Sequence, residues 1–204
     1  MNDWSGGGRR RFLQGLAVAW VAVPLEGLGA EARLQTAGLP EAGPREEDLS
    51  WEALIAPPGE PGEPLLFGGQ VFDPGGKVPA PSVVVYAYHT DAEGYYSRKG
   101  RNEPPRLRGW AKTDASGRFE FRTIRPAAYP GRSIPAHIHF VLWGGGYPRQ
   151  WAEELRFETD PLVTPAMLDE SRRRGRFGNV RRLSVGDGVA RCSFDIRLQA
   201  VSNF

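Results

Sequence analysis

The chain has 204 residues, 40% of them hydrophobic, enough for one compact domain plus a tail rather than for two. Its 26 basic and 24 acidic residues leave a formal charge of +2 with no block of one sign, so neither nucleic acid nor a membrane surface is indicated as a partner. Cys192 is the only cysteine, which excludes an intramolecular disulfide. Glycine and proline, 26 and 18 residues, favour many short strands joined by turns over long helices. The densest basic run, Arg172-Arg173-Arg174 with Arg176, is short and reads as a solvated face.

In chain order, the first feature is an address. Residues 1–32 run from arginines through an apolar stretch, about Phe12 to Leu25, to small residues. That stretch is shorter than the roughly 20 residues a membrane-spanning helix needs. Arg9-Arg10-Arg11-Phe12-Leu13-Gln14 resembles the twin-arginine export consensus, and Ala30-Glu31-Ala32 suits a small-x-small cleavage site. The expectation is an exported protein, periplasmic or secreted. No cysteine follows the cleavage site directly, so a stable membrane anchor is not expected.

Residues 33–64 are rich in Pro, Gly and Glu and read as an N-terminal arm or linker. Within them "LSWEALIA" (49–56) can form a short helix or lie against the body. From residue 65 to 204 the pattern changes. "LLFGGQVFD", "PSVVVYAYHT", "GRFEFRTI", "PAHIHFVLWG" and "ARCSFDIRLQA" are short runs rich in β-branched and aromatic residues, bounded by Gly, Pro and Asp turns. They predict an all-β domain, an antiparallel β-sandwich with short helices. One helix is predicted after Thr164 as N-cap and Pro165 at its first position. Cys192, in an alternating run, reads as a buried small hydrophobe.

Two of the three histidines, His137 and His139, are two residues apart in "AHIHFVLW". Strand side chains alternate between faces. Both imidazoles therefore point one way while Ile138, Phe140 and Leu142 point to the core. The pair can be two hydrogen-bonded histidines or half of a metal site. Tyr129 precedes them, and Tyr95 and Tyr96 follow an earlier strand. Two phenolates with two imidazoles form a hard, anionic donor set that suits a ferric ion. Trp143 shares the histidine face by parity, and Tyr147, Arg149 and Trp151 in "GGGYPRQW" are expected in a loop near the site's mouth.

The pieces "DAEGYYSRKG", "RGWAKTDASGRFEFRTIRPAAYP", "PAHIHFVLWG", "LRFETDP" and "CSFDIRL", in that order and spacing, resemble the intradiol ring-cleavage dioxygenases, in particular the protocatechuate 3,4-dioxygenase branch. The resemblance spans about residues 65–199. It implies a mononuclear non-haem Fe(III) held by Tyr96 (Tyr95 as runner-up), Tyr129, His137 and His139. It also implies that a small aromatic diol is cleaved with O2, between its two hydroxyl-bearing carbons, to a muconate-type diacid. Tyr129 is then the ligand that leaves and takes a proton when substrate binds. His89 matches no ligand and reads as a turn-edge or supporting histidine. Family members often associate through such arms, so self-association is an expectation.

Two positions depart from the family pattern. The arginine three residues before the first histidine ligand is Ile134 here, with Arg132 as the nearby substitute. The family's glutamine falls on Glu154, which would disfavour an anionic catecholate, or act as a base if burial raised its pKa. The competing readings are a non-catalytic exported module, because "TDASGRFEFRTIRP" also resembles transthyretin-like domains, and a metal-binding homologue with altered chemistry.

Overall fold

Alternating apolar side chains dictate most of the architecture. The computed structural model describes residues 43–97 and 103–204; the export signal and the first part of the arm lie outside the described residues. The strands are β1 (Glu52–Leu54), β2 (Pro64–Phe72), β3 (Val83–His89), β4 (Leu107–Lys112), β5 (Arg118–Ile124), β6 (His137–Gly144), β7 (Tyr147–Trp151), β8 (Leu155–Phe157), β9 (Val180–Arg181), β10 (Ser184–Gly186), β11 (Val189–Ser193) and β12 (Ile196–Arg197). They form two six-stranded sheets. One has the order β1-β5-β2-β11-β10, with β12 also on β2; the other is β4-β3-β6-β8-β9, with β7 also on β6.

The core lies between the sheets. Phe67 of the first sheet stacks on Phe121, with ring centroids 5.3 Å apart, and meets Phe140 of the second edge-on at 5.9 Å. Ile138, Phe140 and Leu142 are fully buried in this layer, as strand parity requires. Each such side chain contributes about 1.5–3 kcal/mol by leaving water. Burying β6 on its core side holds the opposite face, with His137 and His139, on a rigid support.

The sandwich is not purely antiparallel. Hairpin-connected neighbours such as β6 and β7, and β10 and β11, are antiparallel. The pairs β1–β5, β11–β2, β12–β2 and β8–β9 are parallel. Their partners are joined by long connections, where no tight turn fixes the relative direction. "LSWEALIA" lies against the body: Glu52–Leu54 forms β1 on the edge of the first sheet. "GGGYPRQW" supplies a strand where a loop was expected. Gly144, Gly145 and Gly146 all adopt positive φ (84°, 61° and 88°), which only glycine does readily, and the chain turns back at once as β7 on β6. "ARCSFDIRLQA" is split into β11 and β12, and Asp195 at the break accepts the Gln70 backbone N–H at 2.9 Å.

The helix α1 spans Pro165–Arg173, and the Thr164 hydroxyl accepts the Met167 N–H at 3.3 Å. Arg172, Arg173 and Arg174 pair with Asp169, Glu170 and Glu153 on the surface, so the basic run is a solvated, ion-paired face. Burial pushes the Cys192 thiol up to about 12, which leaves it inert at neutral pH. Among the described residues no helix is long and apolar enough to cross a membrane.

Candidate metal centre

The site stands on the outward face of β6. His137 and His139 are buried, at 6% and 7% exposure. Two loops bring the tyrosines to them. The first follows β3 and is shaped by Asp91, whose Oδ1 accepts the N–H groups of Glu93 and Tyr95 at 3.0 Å each. This turn sends Tyr95 outward, half exposed, and Tyr96 inward. The second loop, residues 125–136, carries Tyr129. Gly94 joins the loops: its φ is +87°, and a Cβ there would sit 2.2 Å from the Ala128 carbonyl oxygen. The Thr90 hydroxyl adds a hydrogen bond to the Ala127 carbonyl at 2.7 Å.

Four donor atoms converge. The Tyr96 hydroxyl lies 2.7 Å from His139 Nε2 and in direct contact with the Tyr129 hydroxyl. The Tyr129 hydroxyl lies 2.9 Å from His137 Nε2 and 3.4 Å from His139 Nε2. The two Nε2 atoms are 3.0 Å apart. Tautomers follow from the far side of each ring. His137 Nδ1 is 2.7 Å from the Pro135 carbonyl oxygen, which can only accept, so Nδ1 carries the proton. His139 Nδ1 is 3.1 Å from Glu154 Oε1 and donates to it. Both Nε2 atoms therefore present lone pairs to the centre.

That arrangement tests whether a cation fits. Five close contacts link the four atoms, and only the two phenolic protons are available to bridge them. Two lone pairs facing each other at 3.0 Å repel unless a positive ion lies between them. Burial, and then the neighbouring His139, lower the His137 pKa to about 4, so its ring does not supply that charge at neutral pH. Burial and the neighbouring Tyr129 raise the Tyr96 pKa strongly, so the phenol keeps its proton without a cation. The donor set fits a hard metal ion that exchanges with the two phenolic protons.

Around the donors, Glu154 bridges His139 and Arg156: its Oε2 accepts from Arg156 Nη2 at 2.8 Å. Burial alone would raise the Glu154 pKa, but the His139 hydrogen bond, then the His137 and His139 charges, and last the Arg156 charge outweigh it and hold the carboxyl at about 2. The raised pKa that a general-base role needs is therefore absent. Tyr129, His137, His139, Glu154 and Arg156 face a cavity of about 1090 Å³, with Arg132 and Ile134 on its wall. Arg132 is exposed. Of the "GGGYPRQW" side chains named above, only Trp151 lines it. Trp143 is on the histidine face of β6 but donates outward to Glu46 Oε1 at 2.9 Å. His89 is fully buried and links the sheets instead: Nδ1 donates to the Thr90 carbonyl at 2.6 Å, and Nε2 accepts from the Thr123 hydroxyl at 2.7 Å.

A β-sandwich carrying a two-tyrosine, two-histidine donor cluster on one strand and two loops defines the class of protein: a scaffold whose donor set fits a metal ion beside an open cavity. The chain belongs to the dioxygenase family, whose model matches residues 41–200. It is 35% identical over 138 residues, 62% of this chain, to the protocatechuate 3,4-dioxygenase beta chain of Burkholderia cepacia. It is 34% identical over 125 residues, 52% of this chain, to catechol 1,2-dioxygenase 1 of Acinetobacter lwoffii. The matches span 57% and 40% of those two relatives. The structure also resembles the dioxygenase domain of a dioxygenase–carbohydrate-binding fusion from Streptomyces sp. SirexAA-E. There the TM-score is 0.58 at 27% identity, over 80% of this chain and 92% of that one. These relatives are dioxygenases rather than transthyretin-like modules.

The sequence pattern marked Gly94 only as a turn residue and did not single out Arg156. Arg156 was legible in principle, since it stands two residues from Glu154 in an alternating run.

Proposed function

We propose that the protein is an intradiol dioxygenase: it opens a small aromatic diol between its two hydroxyl-bearing carbons with O2 and yields a muconate-type diacid. The observation that carries this reading is the excess of lone pairs over protons among Tyr96, Tyr129, His137 and His139. Those four residues would hold a single non-haem Fe(III). When bound, the ion supplies Lewis acidity toward the diol and a redox-active centre for the reaction with O2.

The chain's own residues divide the remaining work. His137 and His139 are fixed in one tautomer by Pro135 and Glu154 and need no rearrangement. Tyr96 packs behind the site and anchors it. Tyr129 faces the cavity, so its phenolate is the one placed to accept a proton from an entering diol hydroxyl. Arg132, exposed on the cavity wall, draws an anionic diol inward. Glu154 orients His139 through the ring N–H.

We further propose export by the twin-arginine route, on the strength of Arg9–Gln14 and Ala30–Ala32, with residues 1–32 as the signal. Residues 33–64 would serve as an arm through which copies associate.

The test is a visible spectrum with iron quantitation, before and after anaerobic catechol. About one iron per chain, a red-brown phenolate-to-iron band, and a shift to longer wavelength with catechol are expected. Admitting O2 should then give a diacid that retains both oxygen atoms. A protein that stays colourless after reconstitution with ferric ion refutes the reading.

A further inference from the structure

Among the described residues, Arg156 is the cavity-lining residue with a buried side-chain donor left without a partner. It stands on β8 directly opposite His137 in the register of β6 and β8. Its side chain is about three-quarters buried, at 24% exposure. A guanidinium carries five N–H donors. Here one, on Nη2, reaches Glu154, and Nε is buried with no partner. A charged group so far out of water normally satisfies its donors, because leaving them unmet is costly.

The other arginines of the cavity differ. Arg173 and Arg174 are paired with Glu170 and Glu153 on the surface, and Arg132 and Arg197 are exposed, where water satisfies them. Ile134, on the same wall, brings no charge. Glu154 takes one Nη2 hydrogen, and the quarter of the side chain that stays exposed lines the cavity beside the metal-binding face. The planar guanidinium suits an anionic oxygen.

We propose that Arg156 binds the anionic oxygen of the diol and offsets the charge that builds on it during the reaction, with Glu154 fixing the guanidinium. The cation comes from β8, beside His137, and not from the loop that carries Tyr129 and Ile134. This inference rests on the dioxygenase reading of the same centre.

The test uses the iron-loaded full chain with catechol as probe, titrated anaerobically by the band shift and then assayed with O2. Arg156→Met is expected to keep its iron and resting band while catechol binding weakens about 10–100-fold, the size of a lost charged hydrogen bond. Arg156→Lys should recover part of the loss. The double variant Glu154→Gln/Arg156→Met separates a direct contact from a stranded carboxylate. Binding that stays weak supports Arg156, whereas recovery to the wild-type level overturns the proposal. Loss of iron from Arg156→Met, or binding within about twofold of wild type, also overturns it. A wild-type protein that takes up iron but shows no shift with catechol sinks the dioxygenase reading itself, and this proposal with it.

Discussion

Gly94 is where the two tyrosine loops depend on each other, and replacing it with alanine perturbs the centre without touching a donor atom. Two effects combine. At φ +87° an L residue costs about 1–2 kcal/mol more than glycine. The added Cβ would also lie 2.2 Å from the Ala128 carbonyl oxygen and 2.8 Å from Pro130 Cδ, against at least 3.4 Å for an ordinary contact. The loops must part by about 1 Å, and the phenols of Tyr96 and Tyr129 part with them. A misplacement of that size lowers the performance of a preorganised site by about 100-fold. The assay is iron content and the visible band after equilibration with limiting ferric ion, beside a thermal melt. Gly131→Ala is the matched control: its φ is +72°, and nothing lies within 4 Å of its Cβ. We expect Gly94→Ala to lose most of its iron affinity while remaining folded, and Gly131→Ala to lose only about 1 kcal/mol of stability and keep its iron. Wild-type iron affinity in Gly94→Ala, or equal loss in both variants, would refute the reasoning.

Other predictions follow from single contacts. Burial holds the His89 pKa at about 4, below the ordinary 6.5, despite the Thr90 hydrogen bond and the nearby carboxylates of Asp91 and Glu60. The fold thus prefers the neutral ring, and its contribution is full above pH 6.5 and declines as pH falls toward 4. The shift corresponds to up to about 3 kcal/mol, and urea melts of wild type and His89→Gln should diverge by that order between pH 7 and 4; parallel profiles would exclude it. Tyr129→Phe should retain iron with a weakened band and lose at least about 100-fold in turnover, whereas Tyr96→Phe, with no cavity water to fill the gap, should lose iron itself. Phe140→Ala should destabilise the fold by about 3–5 kcal/mol in denaturant melts, since Phe140 contacts both Phe67 and Phe194. Cys192 is only partly buried but its thiol pKa is raised to about 12, so it should be alkylated slowly at pH 8 in the native protein, and rapid labelling would contradict the raised pKa.

The strands of the core were legible because their side chains alternate, and alternation is a local property. The same rule put His137 and His139 on one face and Phe140 on the other. Tyr96 and Tyr129 lie outside regular strands, and no periodicity assigns their direction; their place came from the family resemblance. The choice of Tyr96 over Tyr95 depends on how Asp91 folds its turn, a three-dimensional fact. β1, β7 and the break at Asp195 were missed for related reasons. A three-residue edge strand carries too little pattern to register, a hairpin of three glycines resembles a loop, and an aspartate that replaces a ladder bond does not interrupt an apolar run. The Glu154 pKa was beyond sequence altogether, because its sign is set by competition between burial and three partners, His139 and His137 from β6 and Arg156 from β8.

The division of labour between the tyrosines follows from where each is held. Tyr96 is tied on both sides: Asp91 shapes the turn before it, and its own carbonyl accepts the Arg106 N–H at 2.8 Å. Its ring lies against Tyr88, which is stacked on His139 with centroids 4.6 Å apart. Moving Tyr96 would disturb that stack. Tyr129 sits in a stretch without regular structure between β5 and β6, next to a proline and close to Gly131, and it is half-buried with its face to the cavity. Its hydroxyl can rotate away while the backbone contacts through Gly94 stay in place. On the proposed reading, an entering diol would displace Tyr129, and Tyr96, His137 and His139 would stay as three fixed donors. The centre combines a rigid half, set by the buried strand β6, with one exchangeable donor on the side that faces solvent.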